Sequence, residues 1–220
     1  MNQAVIFDLD GTLLNTLGDL TAAVNHGLTA HGFPTHTEAE VRTYVGDGVK
    51  ELIARACPPT ATDADREAVL AAYLPYYAAH NTDRTAPYDG VVQLLVALKE
   101  KGYRLAVVSN KHEAGVQALC RRFFGDYLSL AVGGNGVRPL KPAPDALQYA
   151  LSQLEVAPED AWYVGDSAVD VMTARAAGVR SIAVSWGFQD AKRLAQQRPT
   201  VLADTPAQVL ETVLATPEIR

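Results

Sequence analysis

A chain of 220 residues, 48% hydrophobic and 20% charged, has the makeup of an ordinary globular protein, long enough for one large domain or two smaller ones. Its net charge of −6 and pI of about 5.3, with no basic run, argue against nucleic-acid or membrane-surface partners. No apolar stretch reaches the length of a membrane span, and Met1-Asn2-Gln3 leads into a strand without a signal sequence, so a cytoplasmic protein is expected.

The first element is the apolar run Ala4-Val5-Ile6-Phe7, a short buried strand by pattern, which delivers Asp8-Leu9-Asp10-Gly11-Thr12. From Leu17 to about Asn81 the pattern is helical. Leu17, Leu20, Val24 and Leu28 form one stripe that ends near Gly32-Phe33-Pro34. Thr37 to Cys57 predicts one or two helices around Gly46-Asp47-Gly48. Asp63 to His80 predicts another, which Pro75 should kink or split. No strand pattern interrupts this stretch, and so long a structureless loop would be improbable. Residues 16–83 are therefore expected to form an all-helical insert in a core built from residues 1–15 and 84–220.

From Pro87 onward helix and strand alternate, the pattern of an α/β protein with a parallel sheet. Helix is predicted from Val91 to Leu98, strand over Arg104–Val108, and helix again to about Phe124. Strand Leu128–Val132 and helix Pro144–Leu154 follow, then strand Trp162–Val164, helix Val169–Ala177, strand Ser181–Ser185 and a last helix over Pro206–Leu214. Gly133-Gly134-Asn135-Gly136 lacks the spacing of a dinucleotide fingerprint and reads as a loop. Cys57 and Cys120 have no metal or redox spacing. Cys120 falls on an apolar helix face and reads as a core residue. The five histidines are scattered.

Polar residues sit just beyond the predicted strands. Besides Asp8 and Asp10 there are Ser109-Asn110-Lys111, Lys141-Pro142, and Gly165-Asp166-Ser167 with Asp170. An Asp-Gly pair alone marks only a turn. In this order and spacing, however, the set resembles the four motifs of the haloacid dehalogenase superfamily along nearly the whole chain. The resemblance implies a Rossmann-like parallel sheet core with an inserted helical cap. Asp10 sets the chain apart from dehalogenases, which need no proton donor, and from phosphonatases. Leu20 stands where β-phosphoglucomutases usually carry a histidine. Tyr88-Asp89-Gly90-Val91 and Ser109-Asn110-Lys111 resemble the phosphoglycolate phosphatase group, although Asn15-Thr16 stands where that group more often has Asp-Ser.

Chemistry follows from the residue types. Asp8 and Asp10, two apart, would share one face of a continuing strand, and such crowding of negative charge needs a cation or a proton. Asp8 is the candidate nucleophile toward phosphorus, and Asp10 the acid for the leaving alcohol and later the base for water. Mg²⁺ would offset the repulsion between carboxylate and phosphate, held by Asp8 and Asp166 and, by resemblance, the main-chain carbonyl of Asp10. Ser109 and the Asn110 N–H would hold the phosphoryl oxygens, and Lys141 would neutralise both phosphate and Asp8. Gly11 and Thr12 would shape the loop around the phosphate. Asp166 and Asp170, four apart, share a face if one helix includes both; Asp170 would then hold metal waters or Lys141, or simply cap the helix. In the cap, the turn at Gly46 and Gly48 with Lys50 could meet an anionic substrate tail during closure.

The expected function is Mg²⁺-dependent hydrolysis of a small phosphorylated metabolite, with 2-phosphoglycolate the first choice, by a monomer or homodimer. Pyrophosphate, sugar phosphates, nucleotides or a phosphomutase reaction are the alternatives within the superfamily. A phospho-aspartate receiver domain is the alternative of another class, since it also uses an aspartate, magnesium, a hydroxyl and a lysine.

Overall fold

The structure is a computed structural model and describes residues 3–215. It divides into two compact units, Met1–Leu14 with Pro87–Arg220, and Asn15–Ala86. The chain begins with β1 (Ala4–Phe7) and β2 (Leu14–Asn15). Four helices follow: α1 (Leu17–Ala30), α2 (Glu38–Tyr44), α3 (Val49–Ala56) and α4 (Asp63–His80). After β3 (Ala86–Pro87) come α5 (Val91–Glu100), β4 (Arg104–His112), α6 (Glu113–Phe124), β5 (Leu130–Gly134) and α7 (Asp145–Leu154). The last elements are β6 (Ala161–Gly165), α8 (Ala168–Ala176), β7 (Arg180–Val184), α9 (Ala191–Gln196), β8 (Val201–Ala203) and α10 (Pro206–Leu214).

Six strands make one parallel sheet in the order β5-β4-β1-β6-β7-β8. Every residue of β1 is buried because both sheet faces are covered, as parallel sheets require. Val5, Phe7, Leu105, Val107, Trp162 and Val164 face one apolar cluster with residues of α5, α6 and α10. Ala4, Ile6, Ala106, Val108 and Tyr163 face the other, with α7 and α8. Alternate residues of one strand thus feed opposite cores. Counted along this unit, the strand order is 3-2-1-4-5-6, a doubly wound Rossmann arrangement; the alternating pattern predicts its parallel sheet and the family resemblance its Rossmann-like core. That order differs from the 2-1-3-4-5 order of flavodoxin-like receivers, which removes the receiver reading. Connections leave β1 and β6 toward opposite edges, and the crevice outside their carboxyl ends is where such sheets bind ligands.

The other unit is helical. α1 and α4 pack closely enough that a Cβ on Gly27 would lie 2.8 Å from the Val69 carbonyl. Leu20, Val24, Leu28, Val69 and Tyr73 form its core with Leu52 and Ile53. Thr37–Cys57 holds two helices rather than one, each bounded by its own cap. α4 runs through Pro75 as one helix. Its two-residue capping box at Thr62 and Asp65 and its packed Tyr73 and Tyr77 hold it together where propensity alone would break it. Asn15 accepts the Leu17 N–H at 3.4 Å at the start of α1, while Thr16, the N-cap, makes no side-chain cap bond. Among the described residues no helix is long and apolar enough to cross a membrane.

Candidate active site

Asp8 is the first residue past β1, and its N–H still donates to the Val164 carbonyl of β6 at 2.8 Å. The ladder ends there, so the side chain stands in the crevice between the two central strands. Asp166 is the first residue past β6. Asp170 lies in the first turn of α8. Carboxylate oxygens of these three buried residues lie within 4.8 Å of one another.

Lys141 is the cation among them, 4% exposed. Its ammonium donates to Asp170 Oδ1 at 2.7 Å, to the Tyr163 hydroxyl at 2.9 Å and to the Val108 carbonyl at 3.3 Å. It also forms an ion pair with Asp8 Oδ1 at 3.0 Å, and that oxygen is otherwise buried without a hydrogen-bond partner. Burial pushes the Lys141 pKa down, yet the charges of Asp170 and Asp8 outweigh it and hold the amine charged. Asp8 is displaced the other way. Desolvation raises it to about 6 against the pull of Lys141, with Asp170 and Asp10 adding to the rise. Desolvation also raises Asp166 well above the carboxylate range, helped by Asp170 and Asp8 and opposed by the Phe188 N–H.

Three buried carboxylates therefore share one buried ammonium, an imbalance that a hard, oxygen-seeking divalent cation would remove. The orphaned Asp8 oxygen points to the same fit. Asp170 is the most committed of the three. Its Oδ1 receives Lys141, and its Oδ2 receives the Ser167 N–H at 3.0 Å and the Ser167 hydroxyl at 2.6 Å in a capping box. It caps α8 and fixes Lys141 at once. Asp166 accepts one bond per oxygen, from the Thr12 hydroxyl at 3.2 Å and from the Phe188 N–H at 2.6 Å, and each oxygen keeps a lone pair.

Two expectations about side-chain direction need correcting. β1 ends at Phe7, so Asp8 and Asp10 do not share a strand face. Gly11 turns the chain at φ +85°, and Asp10 faces Lys111, whose Nζ lies 2.9 and 3.0 Å from its two oxygens. α8 starts at Ala168 with Ser167 as N-cap, so Asp166 precedes the helix and does not share a helix face with Asp170.

Thr12 directs its hydroxyl at Asp166. The buried Asn110 side chain clasps the main chain of Lys141, accepting its N–H at 2.7 Å and donating to its carbonyl at 3.0 Å. Ser109 is buried at the end of the regular part of β4, its Oγ accepting the Lys111 N–H at 3.4 Å. In the helical unit, Gly46 and Gly48 have positive φ, and Arg55 holds their turn through the Tyr44 carbonyl at 3.0 Å and Asp47 at 2.5 Å. Lys50 is exposed.

The residues that sequence reasoning missed are those that hold others in place. Tyr163 contacts Lys141, the Val108 carbonyl and Asp170. Trp186 donates from Nε1 to the Thr12 carbonyl at 3.0 Å. A Cβ on Gly187 would sit 2.3 Å from both Asp166 Cβ and the Gly11 carbonyl, so only glycine lets this loop reach Asp166 with the Phe188 amide.

Residues 5–184 match the haloacid dehalogenase-like hydrolases, and the chain belongs to that family of Rossmann-like hydrolases. Its curated relatives are more particular. "Phosphoglycolate phosphatase 1" of Pseudomonas aeruginosa is 36% identical over 214 residues, 94% of this chain and 78% of that protein. The phosphoglycolate phosphatase of Rhodospirillum rubrum is 40% identical over 196 residues, 86% and 81% of the two chains. A crystal structure from Lactobacillus delbrueckii subsp. bulgaricus, provisionally named a phosphoglycolate phosphatase, superposes with a TM-score of 0.93 at 32% identity and covers 98% of this chain and 99% of its own.

Proposed function

We propose that the protein is a magnesium-dependent phosphomonoesterase whose substrate is 2-phosphoglycolate, released as glycolate and inorganic phosphate. The observation that carries the reading is the under-bonded, buried Asp8 oxygen beside Lys141 at the carboxyl end of the central strand. The phosphoglycolate phosphatases among the curated relatives support the choice of substrate.

Asp8 attacks phosphorus, forming the acyl–phosphate bond as the ester P–O bond breaks, and Asp10 gives its proton to the departing alcohol oxygen. Asp10 then takes a proton from the water that hydrolyses the aspartyl-phosphate, returning Asp8 and releasing phosphate. A magnesium ion held by Asp8, Asp166 and the Asp10 main-chain carbonyl supplies charge neutralisation between nucleophile and phosphate. Ser109, the Asn110 main-chain N–H and Lys141 hold the transferring oxygens, and Asp170 with Tyr163 keeps the Lys141 ammonium in place. Residues 16–83 act as a cap that selects the substrate, with Gly46, Gly48 and Lys50 contributing to that choice.

The test is phosphate release from a panel of phosphomonoesters, 2-phosphoglycolate among them, with magnesium and with chelator. Turnover of 2-phosphoglycolate that chelator abolishes is expected. No phosphate release from any member with magnesium present overturns the reading.

A further inference from the structure

Lys111 has no part in the scheme above, yet it is placed with care. Its Nζ lies within 3.0 Å of both Asp10 oxygens, and the two side chains are only 8% and 12% exposed. The register of β4 against β5 shifts between Val108 and His112, which re-aims the side chains at this strand end. A Cβ on Gly133 would fall 2.7 Å from the Lys111 carbonyl, so bare backbone lets β5 press against this segment. The lysine stem passes Gly115, Cε lying 3.7 Å from where a Cβ there would be. The fold, and not Asp10 alone, sets the position of this ammonium.

A proton donor must turn an oxygen toward the leaving group, and here both Asp10 oxygens are engaged by Lys111. In 2-phosphoglycolate a single methylene separates the carboxylate from the ester oxygen. Whatever side chain reaches that oxygen is therefore beside the carboxylate, and a cation beside that side chain is beside it too. We propose that Lys111 seats the substrate carboxylate, which takes the place of the Asp10 carboxylate on the ammonium; Asp10, once released, takes up a proton from solvent and gives it to the leaving oxygen. The inference rests on the phosphatase reading and deepens it, since it favours phosphomonoesters with a carboxylate one carbon from the ester oxygen. One ion pair replaces another of the same charge, so the carboxylate acts mainly on the rate of alcohol release and little on affinity. A neutral tail cannot make the exchange.

The experiment compares 2-phosphoglycolate with its carboxamide analogue, using p-nitrophenyl phosphate as a control for the chemistry. Rapid quench at saturating substrate reads alcohol release and leaves out aspartyl-phosphate hydrolysis, which is common to all three. The wild-type protein should release glycolate roughly 10- to 100-fold faster than glycolamide, the range of a charge-assisted contact. In Lys111→Met the preference in kcat/KM should collapse to within about threefold, and Lys111→Arg should keep part of it. Equal proportional losses on both substrates in Lys111→Met would overturn the proposal, because the lysine would then serve the phosphate or the fold. Equal alcohol-release rates in the wild-type protein, with the difference confined to KM, would overturn it without any variant. Failure of the wild-type protein to turn over all three esters would instead bring down the phosphatase reading, and this inference with it.

Discussion

Each unit of the molecule buries a carboxylate near the start of the chain, and the two are treated differently. Asp19, 2% exposed in the helical unit, accepts the Arg84 N–H at 3.0 and 3.2 Å, the Thr85 N–H at 2.9 Å and the Thr85 hydroxyl at 2.7 Å. It ties the first helix of the insert to its last residues. Asp8 in the sheet unit has an ammonium beside Oδ1 and no other partner there, and burial lifts it to about 6. Burial of an acid therefore does not by itself mark a site. A saturated carboxylate is structural, whereas an under-bonded one holds capacity for a ligand or a reaction.

Removing each acid should separate the two roles. Asp8→Asn should lower turnover by about 10⁴-fold or more, since it deletes the nucleophile. Its melting temperature should equal or exceed that of the parent, because a costly buried charge is gone. Asp19→Ala should do the reverse, costing roughly 2–4 kcal/mol by stranding the Thr85 donors while the chemistry of the folded protein survives. Steady-state kinetics beside thermal unfolding of both variants makes the comparison. A near-normal rate in Asp8→Asn would end the covalent mechanism. Between these extremes, Lys141→Met should damage both properties, with a stability loss of about 3–5 kcal/mol for leaving Asp170 unpaired.

The pH dependence sharpens the contrast further. Asp8 titrates at about 6 in the folded metal-free protein against an ordinary 3.8, and Asp166 is raised as well. Across that window the native state binds more protons than the unfolded chain, so this cluster's contribution to stability falls as pH rises through it. A divalent cation competes with the same protons. The rise in melting temperature on adding magnesium should thus be smaller at about pH 5 than at about pH 7.5. Equal shifts at the two pH values would show that magnesium is held by other groups.

The central strand and its aspartates were legible because a four-residue apolar run ending in two acids is a local signal. The alternation of helix and strand carries the parallel sheet, while the Rossmann-like core comes only from the resemblance of the motifs and the strand order from neither. β8 was not legible: Val201-Leu202-Ala203 is too short for periodicity, and it becomes a strand by pairing with β7. α9, of six residues, escaped for the same reason. The motif gives Lys111 no role, because its partner lies 101 positions away and local pattern cannot register such a pair. The Phe188 amide carries no side-chain signature at all. At Pro75 the split that the local rule allows does not occur, because packing along α4 keeps it one helix.

The smallest expected effect lies in the helical unit and concerns its two nearby cations. Arg55 is committed to the turn, bonded to the Tyr44 carbonyl and Asp47, so Arg55→Met should loosen the segment and lower stability. Lys50, exposed on α3, can be removed without cost to the turn. If it meets an anionic tail, Lys50→Met should lower kcat/KM on 2-phosphoglycolate up to about fivefold, the value of an exposed ion pair, and leave p-nitrophenyl phosphate nearly unchanged. The good leaving group of that ester needs little help from remote contacts. Parallel kinetics on the two substrates are the measurement. Equal proportional losses would assign Lys50 to the fold or the chemistry, and the choice of substrate would then rest on residues of the sheet unit such as Lys111.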